Sequence, residues 1–198
     1  EMLEIIAGAR HSLKLFYYMF QEDEAGTRVR DAIAEAAGRG VTVSLLIDRF
    51  GTDAPDEFFD PIVENGGHFG VFSKKKTRRY LIRNHQKMLV ADKRTAMVGG
   101  FNISEHYFQP PEENGWCDLG VSVTGPVVAE LVRWFTQMAD WSASANAQYR
   151  SIRTMVRDWE PGDGPVQMLV GGPTRIPSNW ARRVKRDLAR AKRLDMVM

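Results

Sequence analysis

His85 and Lys87 stand two apart in RNHQKMLVADKRTAMVGGFN, residues 83–102, and Asp92, Gly99, Gly100 and Asn102 come after them. Alternate side chains of a β-strand share a face. His85 and Lys87 are therefore expected together on one face, with Gln86 and Met88 on the other. An imidazole beside a fixed cation suits phosphate chemistry. The ammonium neutralises a non-bridging oxygen, while the imidazole, whose pKa lies near neutral pH, attacks phosphorus or protonates a leaving oxygen. Asn102 would donate an amide hydrogen bond to another phosphate oxygen. Gly99 and Gly100 would let backbone N–H groups approach an anion closely. A lone His-x-Lys is far more often structural than catalytic, so the longer spacing has to decide between the two.

The elements that must position these residues alternate along the chain. Residues 1–11 have helical apolar spacing, 12–20 are a compact aromatic strand, and 24–40 read as a helix closed by Gly38 or Gly40. A β-branched strand covers 41–48, a short helix lies near 57–65, and 68–73 form another strand. Residues 85–92 and 95–100 make a hairpin, with Asp92 at its turn. The stretch after Asn102 is expected to start a helix, 116–125 another strand, and 126–144 a long amphipathic helix with Pro126 in its first turn. Val128, Leu131, Val132, Phe135, Met138 and Trp141 form its inward stripe, and Trp134 and Trp141 read as packing residues. Alternation of this kind predicts an α/β layered domain around a central sheet. A polar stretch ending in EPGDGP, residues 160–165, predicts a boundary. Beyond it come a strand over 166–172, a basic amphipathic helix capped by Ser178 or Asn179, and a strand over 194–198.

Composition is that of an ordinary globular chain: 198 residues, 43% hydrophobic, 26% charged, net charge +2. The charge is uneven. Residues 73–87 are rich in Lys and Arg and hold no acid, and residues 175–193 carry Asp187 as their one acid among many basic residues. Such runs suit an anionic partner, although a solvated face explains either run alone. The single cysteine, Cys117, excludes an internal disulfide and reads as a packing residue. No run of about 18 apolar residues occurs, and no signal peptide is visible. His11, His68 and His106 lack partners at telling spacings. Tyr17 and Tyr18 read as core residues in reach of a pocket.

His85, Lys87, Asp92, Gly99, Gly100 and Asn102 match H-x-K-x(4)-D-x(6)-G-[GS]-x-N at every fixed position. That pattern resembles the motif of the phospholipase D superfamily. The segment FYYMFQEDEAGTRVRDAIAEAAGRGVTVSLLIDRFGT resembles the part before the first motif in its bacterial cardiolipin synthase branch, and WCDLGVSVTGPVVAELVRWFTQMADW resembles the part after that motif. The likeness covers roughly residues 1–145, with a continuation to 198.

The resemblance implies an α-β-α sandwich with a central mixed sheet, and a reaction in which one histidine forms a phosphohistidine while a second protonates the departing alcohol. Water or another alcohol then resolves the intermediate. It implies no metal or cofactor, because lysines and asparagines stabilise the anion. His85 matches the catalytic histidine and is expected to be the nucleophile; Lys87 and Asn102 match the phosphate binders. Asp92 is expected to hold the turn rather than touch substrate. Asp118 is the candidate for orienting the histidine, with Glu112 and Glu113 behind it, and a plain strand-edge role for Asp118 stands equally.

The pattern departs from the family in one respect: no second H-x-K occurs. The expectation is a first phospholipase D-like domain over 1–150, a linker over 151–165, and over 166–198 the beginning of a second domain. LARAKRLDMVM at 188–198 weakly echoes IAGARHSLKLFYYMF at 6–20, as a repeat would. A one-motif homodimer is the alternative. The implied partners are a phospholipid at a membrane surface and a second motif, and the implied setting is the bacterial cytoplasm or its membrane face. A nuclease acting on DNA or RNA, with KKKTRR as backbone-binding charge, and a silent assembly domain are the competing readings.

Overall fold

Three apolar strands and a hairpin account for the frame. The computed structural model describes residues 1–72, 82–172 and 176–195. Strands β1 (Ser12–Tyr17), β2 (Thr42–Ile47) and β3 (His68–Val71) run parallel, and β4 (Lys87–Ala91), β5 (Thr95–Gly99) and β6 (Gly120–Thr124) continue the sheet antiparallel. The strand order is β3-β2-β1-β4-β5-β6. The central neighbours are β1 and β4, paired from Leu13 with Ala91 to Tyr17 with Lys87. The sheet is thus mixed, with the first motif strand at its centre.

Period-two alternation splits the apolar residues between two layers. Leu13, Leu15 and Tyr17 of β1 and Leu89 and Ala91 of β4 face helices α1 (Met2–Gly8), α2 (Glu24–Gly38) and α3 (Asp60–Glu64), and meet Ile6, Ile33, Phe59 and Ile62 in one core. Asp23 caps α2, its Oδ1 accepting from the Gly26 N–H at 2.7 Å. Phe16, Leu46, Met88, Val90 and Ala96 face the other way, beneath α4 (Val127–Ala143). Val128, Leu131, Trp134, Phe135, Met138 and Trp141 of α4 are buried there, and Val132 is half-buried. The α-β-α sandwich is the expected one.

Several local expectations give way. After Asn102 there is only a 3₁₀ turn, Glu105–Tyr107, because the chain is first pinned by the Phe20–Ile103 bridge and then broken at Pro110 and Pro111. Residues 116–119 lie outside β6, and 166–172 form no strand: the Met168 carbonyl accepts from the Trp159 indole at 2.9 Å instead of from a neighbouring strand. The stretch read as a linker, 151–165, overlaps α5 (Tyr149–Arg157), whose Ile152 and Val156, one turn apart, are buried with Trp159 in the second core. Cys117 is exposed rather than packed. Helix α6 (Asn179–Arg190) forms as expected, capped by Ser178, whose Oγ accepts from the Ala181 N–H at 3.3 Å. Leu194 and Asp195 are irregular, and the rest of the expected last strand lies outside the described residues, as does the basic run 74–79.

Candidate active site

Strand β4 begins at Lys87, so His85 precedes the ladder instead of sitting within it. What holds it there is a chain of polar contacts on the backbone. Asp48, fully buried where β2 ends, accepts from the Asn84 N–H at 2.7 Å and the Phe50 N–H at 2.8 Å. The Asn84 side chain in turn accepts from the Gln86 N–H at 3.1 Å, and Gln86 Oε1 accepts from the Trp134 indole of α4 at 2.7 Å. Residues 84 and 86 are therefore fixed from both layers, and His85 between them is left exposed. The Tyr18 ring packs on the imidazole with centroids 4.4 Å apart.

Lys87 is only 5% exposed, and its ammonium must find partners there. It donates to the His85 carbonyl at 2.8 Å, lies 2.9 Å from His85 Nδ1 and 3.3 Å from Nε2, and sits 5.4 Å from the centre of the Tyr18 ring. No carboxylate forms an ion pair with it among the described residues. Burial pulls its pKa down to about 8, against the opposing charge of Asp118. Burial, and then the Lys87 charge, lower the pKa of His85 as well. Both shifts favour the uncharged forms, and the imidazole sits beside an ammonium that no carboxylate pairs with among the described residues. That pair is what an incoming phosphodiester would complete.

Asn102 is 2% exposed; its Oδ1 accepts from the Met19 N–H at 3.1 Å and its Nδ2 donates to the Tyr107 hydroxyl at 2.8 Å. These contacts fix the amide between the end of β1 and the turn after β5. The two glycines have a packing explanation. A Cβ on Gly100 would stand 2.2 Å from Asp118 Oδ1, and one on Gly99 2.7 Å from the Leu119 carbonyl. The Gly100 N–H donates to the Leu119 carbonyl at 3.1 Å, which commits it to the sheet edge instead of an anion. Asp118 is exposed, accepts from the Leu119 N–H at 2.6 Å and acts on Lys87 through its charge; among the described hydrogen bonds none joins it to His85. Glu112 and Glu113 lie in an exposed 3₁₀ turn.

Asp92 is at the far end of β4. Its Oδ1 accepts from the His11 N–H at 2.7 Å and the Ser12 N–H at 2.9 Å, and its Oδ2 from the Arg10 N–H at 3.0 Å. Partial burial works against this charge, but the three backbone donors outweigh it and hold the carboxyl below the usual range. The structure therefore brings His85, Lys87 and Asn102 to one end of the hairpin and Asp92 to the other. Asp48 and Gln86 escaped the sequence reading; the one available signal was a carboxylate closing the apolar run LLID.

Residues 2–139 match a family model described as "Cardiolipin synthase, PLD-like domain". The major cardiolipin synthase ClsA of Bacillus subtilis is 32% identical over 190 residues, covering 90% of this chain and 38% of that protein. The chain thus spans less than two fifths of that relative. Among solved structures, a phosphatidylserine synthase of Haemophilus influenzae superposes with a TM-score of 0.56 at 16% identity, over 85% of this chain and 42% of the other. Nuc of Salmonella typhimurium, a phospholipase D family member, gives 0.54 at 18% identity, over 70% and 84%. At those identities the superpositions speak for the fold.

Proposed function

This chain belongs to the phospholipase D-like family of cardiolipin synthases, and on that premise we propose that it is the His85-bearing half of a phosphatidyl-transferring enzyme. The observation that carries the reading is the buried Lys87 ammonium held 2.9 Å from the His85 ring with no carboxylate partner among the described residues. A phosphodiester oxygen seated on Lys87 brings phosphorus to the imidazole. The ring nitrogen forms a bond to phosphorus while the P–O bond to the leaving alcohol breaks, and a second histidine protonates the departing oxygen. An acceptor alcohol, or water, then attacks phosphorus and displaces His85. Asn102 steadies the equatorial oxygens through its amide, and Lys87 supplies the positive charge that a metal would otherwise bring to the phosphate. Asp118 tunes Lys87. Gly99 and Gly100 make room for Asp118 and the sheet edge.

The second histidine comes from a second H-x-K segment, in the same polypeptide or in a second copy. A match of backbone geometry supports the former. Helix α1 ends on Ala9 at φ −63°, ψ 135°, its N–H donating to Ile6; α6 ends on Ala191 at φ −68°, ψ 136°, its N–H donating to Leu188. Basic residues come next in both. The reading is that α6 opens a second, similar domain, that the substrate is a phospholipid at a bacterial membrane surface, and that no cofactor takes part. Among the described residues no helix is long and apolar enough to cross a membrane.

The test incubates the protein carrying both motifs with phosphatidylglycerol and, separately, with single-stranded DNA. Cardiolipin formation lost on His85→Ala is the expected result. DNA cleavage without lipid turnover would overturn the reading in favour of a nuclease.

A further inference from the structure

A cavity of about 1230 Å³ opens beside His85 and runs away from it between α4, α5 and the start of α6. Its two ends differ in chemistry. The mouth is polar, with Arg83, Asn84, His85 and Gln86. Beyond it the walls are Met138, Ile152, Val156, Leu169 and Trp180, with Trp134 reaching from them to Gln86 at the mouth. These walls come from separate elements, and on the α4 and α5 side they are the buried, packed faces of those helices. Small-ligand pockets usually measure about 300–1,000 Å³, so this one is larger than a head group requires. The Arg83 guanidinium stacks over the Phe50 ring at 3.3 Å, which fixes a cation at the mouth.

We infer that this trough is an acyl-chain site: it takes one fatty chain of the phosphatidyl donor while the phosphate lies at His85 and Lys87. The inference rests on the phosphatidyl-transfer reading and adds to it the residues that read the chain. A phosphodiester at the mouth leaves its diacylglycerol side facing the apolar walls, and among the described residues no charged side chain lines them beyond Arg83 and His85 at the entrance. Burying each methylene contributes about 0.8 kcal/mol at most, so affinity should rise on the order of two- to fourfold per added CH₂ until the trough is full.

Gly171 supplies the probe. A Cβ there would meet nothing nearer than the Trp180 ring at 3.6 Å, and the residue is exposed, so Gly171→Leu narrows the far end without disturbing either core. The measurement is binding of a lyso-phosphatidylglycerol series of increasing chain length, below micelle formation, monitored by tryptophan fluorescence. Chain-free glycerophosphoglycerol is the competitor. The expected result is an affinity that climbs with chain length in the unmodified protein, levels off several carbons earlier in Gly171→Leu, and keeps its slope in His85→Ala despite weaker binding overall. Chains brominated near the end should quench the fluorescence in the unmodified protein, and less so in Trp180→Phe; this second readout stands if Gly171→Leu fails to fold. Affinity independent of chain length, or levelling at the same chain length in Gly171→Leu as in the unmodified protein together with quenching unchanged in Trp180→Phe, overturns the acyl site. Competition by glycerophosphoglycerol without any slope sinks the trough and leaves phosphatidyl transfer standing. A slope without such competition retains an apolar trough but rejects the phosphatidyl donor, and with it the inference as stated.

Discussion

The two ends of strand β4 lie five residues apart and are built on opposite terms. At Lys87 a buried cation faces an imidazole, without a paired carboxylate among the described residues, and its pKa is pulled down. At Asp92 a carboxylate takes three backbone N–H groups and its pKa is pulled down because the charge is satisfied. For a cation the downward shift marks a charge the fold disfavours; for an acid it marks one the fold favours. One end keeps an unmet electrostatic demand for a ligand to fill, and the other uses its charge to hold the sheet together. The motif therefore joins two kinds of residue under one pattern.

Mutations should separate the ends, and the largest effect belongs to the first. On the proposed mechanism, with His85 as nucleophile, His85→Ala in the complete enzyme is expected to lower kcat by at least about 10⁴-fold, with melting temperature nearly unchanged because the side chain is exposed. Comparable activity in His85→Ala would dissolve the contrast. Lys87→Met should lower kcat/KM by about 10²–10³-fold, the scale of one lost anion-stabilising group. The unsubstituted site should also show kcat/KM falling as pH rises through about 8, where Lys87 gives up its proton. Lys87→Arg, whose guanidinium stays charged, should flatten that limb in a pH–rate profile.

The other end should answer in stability. Asp92→Ala is expected to cost about 2–3 kcal/mol in urea unfolding, since it strands three backbone donors, while activity per folded molecule stays within about threefold. Its carboxyl is held below the unfolded value of about 3.9, so its contribution is complete above that pH and is lost as pH falls through the folded value. Acid titration of stability should therefore be shallower in Asp92→Ala. The smallest effect lies next door. Asp92 and Lys93 both adopt left-handed backbone, φ 53° and 57°, across a turn closed by the Arg94 N–H on the Ala91 carbonyl at 3.0 Å. A left-handed backbone costs a side-chain-bearing residue more than glycine, so Lys93→Gly should raise stability by up to about 1 kcal/mol with no kinetic change.

Much of this was legible in the sequence because it is periodic or punctuated. The strands at 12–17, 42–47 and 87–91 are compact, largely apolar runs, α4 carries a wide apolar stripe, and Asp92 falls in a recognisable turn. His85, Lys87 and Asn102 could be assigned to one place from spacing. What escaped depends on contacts across long sequence separations. Asp48 reaches Asn84 over 36 positions and Trp134 reaches Gln86 over 48, and neither pairing leaves a local trace. The irregular path of 166–172 looked like a strand because its residues are apolar. Its carbonyl partner is an indole, which no periodicity reports. Helix α5 was hidden by polar neighbours, since only Ile152 and Val156 of its nine residues are buried.

The Asp92 contacts also bear on which positions can vary. All three of its donors are main-chain groups, of Arg10, His11 and Ser12. Any residue other than proline offers the same N–H. Positions 10–12 are thus exchangeable as far as this contact is concerned. Position 92 has no comparable freedom, because it must pair a left-handed backbone with a short carboxylate. A saturation library should find tolerance at positions 10–12 and intolerance at the turn, although both sides share the same three hydrogen bonds.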